Sequence, residues 1–198
     1  SEHVRLAKSV VDNKYGPATY KELNINVVDS IERVEKLIQV IKSSKSFTFD
    51  IESKGLRHWD GILGIGLCLQ DNQAYYIPFI DYTKDKQEVR VFSNQDYKTV
   101  KNDFKNMFNN YKGWIIGHNI KFDLSLLAYQ WGISTHLNLF DTYICHYLFN
   151  ETMPHGLKEI TDLLFPDMRG YSVLLNQYKK DHKIKKDTMV GIPKEVLG

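Results

Sequence analysis

The pattern of apolar and polar positions predicts strands separated by helices along most of the chain. Residues 46–52 alternate in polarity and are rich in β-forming side chains, so they predict a strand packed on one face. The apolar runs 61–69 and 74–79 enclose a turn-forming Asp-Asn-Gln segment and predict a β-hairpin. Shorter apolar runs predict further strands at 24–28, 114–117 and 137–140.

Helical periodicity fills most of the intervening segments. Apolar residues recur three and four positions apart, which predicts helices over 30–44, 95–110, 121–131, 141–149, 156–164 and about 171–180. The polar residues 81–94 are predicted to form a loop. This order of elements predicts the α/β class, with a mixed β-sheet of about five strands flanked by helices.

Length and composition fit one domain with a short appendage. The chain has 198 residues, of which 42% are hydrophobic and 25% are charged. Residues 1–22 show no clear period and predict a leader or the remnant of an upstream segment, followed by one domain over 23–198. We expect no membrane span, because no apolar run approaches the roughly 20 residues that a span requires. We expect an intracellular location, because the N-terminus lacks the apolar region of a secretory signal.

The net charge restricts the kind of nucleic acid that the chain is expected to bind. The formal net charge of +2 does not suit a protein that wraps duplex DNA, but it fits a local groove for a short single strand. The basic cluster at 179–186 is either a solvated face or a contact for nucleic-acid phosphates.

Cys68 and Cys145 lie in apolar segments and are predicted to be reduced core residues. Trp114 and Trp131 are also predicted to lie in the core.

Two acidic residues near the end of the first long strand are the leading candidates for chemistry. Side chains alternate along a strand, so Asp50 and Glu52 leave the same face. Carboxylates at this spacing repel one another unless a cation lies between them, and they suit Mg²⁺ and Mn²⁺, which prefer oxygen ligands. The strand ends directly after the acids, which places the pair at a carboxyl-end crevice of an α/β sheet, where sites usually lie.

A third acid lies in the first turn of the helix that follows strand 114–117. The helix dipole favours an anion there, so Asp123 by itself is typical of an ordinary helix N-terminus. Together with Asp50 and Glu52 it completes a set of carboxylates that suits two-metal phosphodiester hydrolysis. That mechanism forms no covalent intermediate, in agreement with the lack of an evident Ser-His or Cys-His nucleophile pair.

Four motifs in order resemble the proofreading 3′–5′ exonuclease domains of family A DNA polymerases, which belong to the DEDD superfamily. They are FDIES at 49–53, GHNIKFDLSLL at 117–127, LFDT at 139–142 and HGLKEITDLLFP at 155–166. Ribonuclease D and the Werner-type exonucleases are similar at a greater distance. The resemblance implies a ribonuclease H-like fold, hydrolysis at a single-stranded DNA 3′ end, and a polymerase domain C-terminal to this one in the parent chain.

The resemblance also implies the role of each acid. Asp50 and Glu52 match the metal-binding pair of the family's first motif, and Asp123 matches the metal-binding aspartate of the second. Together these catalytic residues would hold two divalent ions, Mg²⁺ or Mn²⁺.

Four other residues are implied to contact substrate. Asn119 matches the asparagine of an Asn-x-x-x-Asp pattern that helps to hold the site and the substrate end, and His118 precedes it in the same motif. Leu56 lies at the offset of a leucine that wedges against the terminal base, or else it anchors its loop. Phe122 either stacks on a base or packs in the core.

The family's third motif, Tyr-x-x-x-Asp or His-x-x-x-x-Asp, is missing after residue 156. Tyr178 and Asp181 are one residue too close together. Two pairs have the histidine spacing but belong to other segments, namely His118–Asp123 and His136–Asp141. We therefore expect a fragment with weak metal occupancy and very slow excision. A longer chain, with roughly 20–40 further residues, is expected to restore the excision activity. Otherwise the fourth ligand would come from Asp162, Asp167, Asp181 or Asp187.

Two alternatives stay open. A ribonuclease D-like enzyme would use the same acids to trim RNA 3′ ends, and a degenerate exonuclease fold would serve as a binding or structural module. The three acids argue against the degenerate module, while the missing fourth acid argues for it.

Overall fold

The computed structural model describes residues 24–70, 73–134, 138–165, 171–185 and 188–194. Its strands are β1 (Asn24–Val27), β2 (Ser46–Ser53), β3 (Ile62–Gln70), β4 (Gln73–Pro78), β5 (Ile80–Tyr82), β6 (Glu88–Arg90), β7 (Trp114–Gly117) and β8 (Asn138–Asp141). Its helices are α1 (Ile31–Ser43), α2 (Asn94–Asn110), α3 (Lys121–Trp131), α4 (Thr142–Phe149), α5 (Leu157–Leu164) and α6 (Tyr171–Asp181). The predicted leader at 1–22 lies outside the described residues and stays a prediction.

A mixed sheet flanked by helices confirms the predicted α/β class. In the described part of the chain the main sheet has six strands, in the order β1-β4-β3-β2-β7-β8. The pairs β2–β3 and β3–β4 are antiparallel, whereas β2–β7 and β7–β8 are parallel. Because parallel strands end at the same edge of a sheet, the chain leaves β2, β7 and β8 on one side of the domain.

Local signals set the ends of the helices that cover this sheet. Ser30 and Ser93 cap α1 and α2 by accepting hydrogen bonds from the backbone N–H groups of Arg33 (3.4 Å) and Asp96 (3.1 Å). Helix α3 ends at Gly132, whose φ of 64° is a left-handed conformation that glycine adopts without strain. No helix within the described ranges is long and apolar enough to cross a membrane.

The central strand β2 buries one face and leaves the other for the acids. Phe47 and Phe49 are buried, with ring centroids 6.0 and 5.5 Å from the ring of Phe108 on α2. Burial of a side chain of this kind contributes about 1.5–3 kcal/mol. Alternation along the strand then directs Asp50 and Glu52 to the opposite face.

The segment predicted as a loop at 81–94 contains a small two-stranded sheet instead. Strands β5 and β6 pair antiparallel, and the turn between them is closed by hydrogen bonds between Thr83 and Gln87. Tyr82 is 6% exposed, so one buried aromatic side chain holds this polar segment against the domain. The polarity pattern missed the sheet because each strand is only three residues long.

Two side chains predicted to lie in the core are exposed. Trp114 is 51% exposed, because alternation along β7 directs Ile115 into the core and Trp114 to the other face. Cys145 is exposed, because α4 lies on the periphery and none of its residues is buried. Trp131 is buried as predicted, and both cysteines are free, with Cys68 half-buried.

Two glycines of β3 lie beside the acids. The register pairs Asp50 with Gly66 and Glu52 with Gly64, and directly paired residues of antiparallel strands share a face. The ring of Tyr76 on β4 covers Gly64, where an added Cβ would lie 2.6 Å from Cζ of Tyr76. An added Cβ at Gly66 would meet only the carbonyl oxygen of Asp50, at 3.9 Å.

Gly64→Ala is therefore expected to lower the free energy of unfolding by about 1–3 kcal/mol, because the new methyl group overlaps the buried Tyr76 ring. Gly66→Ala is the matched control on the same strand and should change that free energy by less than about 1 kcal/mol. Urea denaturation of both variants measures the difference. Equal losses would show that Tyr76 moves aside without cost.

Candidate active site

Three acids meet where β2 approaches the start of α3. Asp50 and Glu52 project from β2, and Asp123 lies in the first turn of α3. The backbone N–H of Ile51, between the two β2 acids, donates a hydrogen bond to Oδ1 of Asp123 at 3.0 Å. Asp123 is only 3% exposed, so this bond holds a buried carboxylate against the strand. The structure thus brings together the three acids that the sequence singled out.

Burial raises the pKa of each acid, and the charge of Asp50 adds to the rise at Glu52 and at Asp123. The pKa of Asp123 is raised to about 7, with burial as the largest cause and the charge of Asp50 as the next. Burial and Asp50 likewise raise the pKa of Glu52 to about 7. Burial also raises the pKa of Asp50, but this residue keeps solvent-exposed surface and His118 lowers its pKa, and both effects limit the shift.

Asp141 shapes the loop that leads from β7 into α3. Its carboxylate accepts hydrogen bonds from the backbone N–H groups of Asn119 (2.9 Å), Ile120 (3.1 Å) and Tyr143 (2.9 Å). Asn119 adopts a φ of 57°, a left-handed conformation that turns the chain sharply before the helix. Asp141 is therefore a structural residue. His136, which together with Asp141 has the spacing of the family's histidine motif, lies outside the described residues.

His118 lies at the Asp50 side of the acids. Its Nδ1 is 2.9 Å from Oγ1 of Thr142, and its buried Nε2 has no hydrogen-bond partner among the described residues. The charge of the imidazole lowers the pKa of Asp50. Asn119, the other candidate from this motif, is exposed at the adjoining turn.

A cavity of about 320 Å³ adjoins the acids at Glu52. Leu56 and Phe122 both line it. Leu56 is 88% exposed, which excludes the alternative that this leucine anchors its loop. Phe122 is half-buried and packs against the core while it lines the cavity, so its core contacts leave part of the ring accessible.

Lys179 is a residue of the site that the sequence analysis did not single out. It lines the same cavity from α6 and is only 6% exposed, so it does not belong to a solvated basic face, whereas Lys180 is exposed. Its charge lowers the pKa of Glu52. The sequence gives one indication that Lys179 turns inward. It lies four residues after Leu175 and therefore on the same, more buried side of the helix.

Tyr76 is a buried residue whose phenol is affected by the charge of Glu52. It is 6% exposed, and burial is the largest cause that raises the pKa of its phenol, with a further rise from the charge of Glu52. The phenol therefore stays protonated beside the acids. No local pattern pointed to Tyr76, because its position follows from the pairing of β3 with β4.

The donor chemistry of the three acids fits a divalent cation, since carboxylate oxygens are the ligands that Mg²⁺ and Mn²⁺ prefer. Within the described ranges, however, no three His, Cys, Asp or Glu side chains have the spacing of a ready metal site.

Among the four candidates for a fourth ligand, Asp181 is exposed and accepts a hydrogen bond from Gln177 at 2.7 Å. Asp162 lies on α5, and Asp167 and Asp187 lie outside the described residues.

The sequence is similar to known exonuclease and polymerase sequences. A model of the 3′–5′ exonuclease family matches residues 25–186, which is most of the chain. The DNA polymerase of Escherichia phage T5 is 31% identical over 150 residues, covering 70% of this chain and 16% of the polymerase. The chain therefore spans about a sixth of the length of that relative.

Solved exonuclease structures share the fold at low sequence identity. The catalytic core of RRP6 from Trypanosoma brucei superimposes with a TM-score of 0.55 at 19% identity, covering 75% of this chain and 38% of that one. Escherichia coli RNase D gives a TM-score of 0.52 at 12% identity, covering 71% and 33%. These likenesses confirm the ribonuclease H-like exonuclease fold.

The raised pKa values determine how stability depends on pH. A carboxyl group whose pKa is raised by folding binds its proton more tightly in the folded state. Its contribution to stability is fully present below the unfolded pKa of about 4 and is lost as the pH rises through the folded pKa. For Asp123 and Glu52 the folded pKa is about 7, so the metal-free chain should lose stability between about pH 4 and 7.

Asp123→Asn is expected to raise the free energy of unfolding at pH 8 by on the order of 2 kcal/mol and to change it little at pH 4. The amide removes the charge but keeps an oxygen that can accept the hydrogen bond from Ile51. Chemical denaturation in EDTA at both pH values measures the effect. A loss of stability at pH 8 would show that the charged carboxylate stabilises the fold.

Proposed function

Because the chain belongs to the 3′–5′ exonuclease family, we propose that it removes nucleotides from the 3′ end of a DNA strand by metal-dependent hydrolysis. The observation that carries this proposal is the cluster of Asp50, Glu52 and Asp123, whose charges repel one another at the end of a central strand. Such a cluster disfavours the folded state unless a cation offsets its charge. The acids are therefore best explained by metal binding.

In this proposal the three acids hold two divalent ions, Mg²⁺ or Mn²⁺. When bound, such ions supply an activated water and stabilise the leaving 3′ oxygen. The hydrogen bond from Ile51 keeps Asp123 against β2, so the helix carboxylate and the strand carboxylates stay at one place. Gly66 and Gly64, which pair with Asp50 and Glu52, add no side chains on this face.

The cavity beside Glu52 is the proposed site of the 3′-terminal nucleotide. Leu56 exposes an apolar side chain there, and the accessible part of the Phe122 ring adds a surface for a base. The charge of His118 acts on Asp50, and Asn119 follows His118 in the turn before α3, so we assign both residues to the substrate backbone. Nδ1 of His118 is 2.9 Å from Thr142, so Nε2 is the ring nitrogen without a partner among the described residues, and it can donate a hydrogen bond when it carries a proton.

DNA is the proposed substrate because the similar T5 protein is a DNA polymerase. On the same basis we propose that this exonuclease is the proofreading part of a longer chain, with a polymerase domain C-terminal to it. A ribonuclease D-like activity is the second candidate, since RNase D has the same fold. Excision of single-stranded DNA and RNA of the same base sequence decides between them, and the DNA should be degraded faster.

Mn²⁺ or Mg²⁺ is expected to bind the chain in roughly the millimolar range or tighter. Asp50→Ala should abolish this binding, because Asp50 interacts with both of the other acids. Glu35→Ala removes an exposed acid of α1 and should bind like the parent. Titration calorimetry measures all three proteins. If Asp50→Ala binds as the parent does, these acids are not the metal site.

Leu56→Ala should slow excision of a single-stranded DNA 3′ end roughly tenfold, as expected for the loss of one apolar contact to the terminal base. Leu148→Ala is the matched control, because Leu148 is also an exposed leucine (78%) but lies on α4. Release of 3′ nucleotides in Mn²⁺ gives both rates. Equal rates would remove Leu56 from the substrate site, and binding of DNA without excision in the parent would support the binding-module alternative.

A further inference from the structure

An exposed aromatic cluster lies on the loop between β2 and β3 and on the adjoining helix α3. Trp59 of the loop is 54% exposed, and Tyr129 of the helix is 62% exposed. The ring of His58 contacts both, with its centroid 4.6 Å from that of Trp59 and 4.8 Å from that of Tyr129. Exposed aromatic side chains that cluster at one place mark an interaction site more often than single ones do.

Hydrogen bonds hold the loop that carries the cluster. The carboxylate of Asp60 accepts a hydrogen bond from the backbone N–H of Arg57 at 2.9 Å, and the backbone N–H of Asp60 donates to the carbonyl oxygen of Arg57 at 2.8 Å. Nε2 of Gln130 on α3 donates to the backbone carbonyl oxygens of His58 (3.1 Å) and Asp60. The rings are therefore presented by a fixed loop, which lowers the entropic cost of binding a ligand.

Arg57 adds positive charge to the cluster. Its guanidinium carbon lies 5.7 Å from the ring centroid of Trp59, within the range of a cation–π interaction. Arg57 is exposed, and it forms no ion pair with any residue that the structure describes. Phosphates are anionic and bases stack on aromatic rings, so an arginine beside exposed rings suits a single strand of nucleic acid.

The cluster is continuous with the cavity beside Glu52. Leu56, which lines the cavity, directly precedes Arg57 in the loop. Phe122 also lines it and lies on α3 seven residues before Tyr129, hence on the same side of the helix and about 10 Å away along its axis. Loop and helix thus both lead from the cavity to the cluster. At a stacked rise of about 3.4 Å per nucleotide, this distance corresponds to about three nucleotides.

We propose that Arg57, His58, Trp59 and Tyr129 form a stacking platform for the bases that precede the 3′-terminal nucleotide. The inference rests on the proposed exonuclease function and deepens it by assigning a second contact with the substrate strand. A strand whose 3′ end lies in the cavity reaches the platform with roughly its third to fifth nucleotides. Because paired bases do not offer their faces to a protein ring, the platform favours single strands.

Binding of 5′-labelled single-stranded DNA in EDTA, measured by fluorescence anisotropy, tests the platform without hydrolysis. Trp59→Ala should weaken binding of an octanucleotide about five- to twentyfold, because a base loses its stacking partner. Binding of an octanucleotide without bases at roughly positions three to five from the 3′ end should change less than about twofold, because its phosphates remain. Equal losses for the two strands, or no loss for the intact one, would overturn the platform.

Two variants serve as controls in the same measurement. Trp114→Ala removes a tryptophan of similar exposure (51%) at the start of β7, away from the carboxyl ends of the parallel strands, and should bind both strands like the parent. Trp59→Phe keeps an aromatic ring and should bind the intact strand within about twofold of the parent. A loss in Trp59→Phe as large as in Trp59→Ala would contradict stacking at this position.

Tryptophan fluorescence gives a second readout, which a merely structural role of Trp59 would not change. The chain has three tryptophans, of which Trp131 is buried. The intact octanucleotide should quench the emission of the parent and of Trp114→Phe, whereas Trp59→Phe should bind the strand but lose most of the quenching. Quenching that persists unchanged in Trp59→Phe would show that the strand does not stack on this ring.

Release of 3′ nucleotides in Mn²⁺ tests the proposed function separately. If the parent releases none but binds DNA through Trp59, the proposed function fails and the platform stands. If the parent excises and Trp59→Ala binds and excises equally well, the platform is overturned and the proposed function stands. If Trp59→Ala does not fold, Tyr129→Ala takes its place in the same comparisons. Absence of binding of the intact strand by the parent would also overturn the platform.

Discussion

The hydrogen bond from the backbone of Ile51 to Asp123 is the interaction on which the whole site depends. It joins the first turn of α3 to the central strand and holds a buried carboxylate against the backbone of Ile51, the residue between Asp50 and Glu52 in the sequence. The charge of Asp50 raises the pKa of Glu52 and of Asp123, and Glu52 also raises that of Asp123, so the arrangement opposes folding near neutral pH. The remaining structure must compensate for this repulsion and keep the acids together.

The compensation comes mainly from the other face of β2 and from the strands beside it. Aromatic packing of Phe47 and Phe49 against α2 fixes the strand, so its opposite face cannot rotate to separate the acids. The parallel strands β7 and β8 bring Asp141 to the start of α3, where it accepts three backbone hydrogen bonds. Lys179 adds positive charge at the remaining side. Packing, backbone hydrogen bonds and charge thus converge on the same few residues.

Much of this arrangement was predictable from local pattern. The period of two along 46–52 placed Asp50 and Glu52 on one face, and the boundary between strand and helix placed Asp123 beside them. The larger helices and strands also followed from periodicity. Residues whose environment depends on distant segments were predicted less well, as the exposed Trp114 and Cys145 show. Alternation alone does not tell which face of a strand or helix will find a partner.

The sequence by itself determined the α/β class, the shared face of the β2 acids and the match to the 3′–5′ exonuclease family. Only the tertiary structure decided that Leu56 projects into solvent beside a cavity and that Lys179 is buried and lines the same cavity as Glu52. The physical reason is the range of the interactions. Side-chain periodicity is set by neighbours along the chain, whereas burial and charge compensation depend on segments more than a hundred residues apart, as Glu52 and Lys179 are.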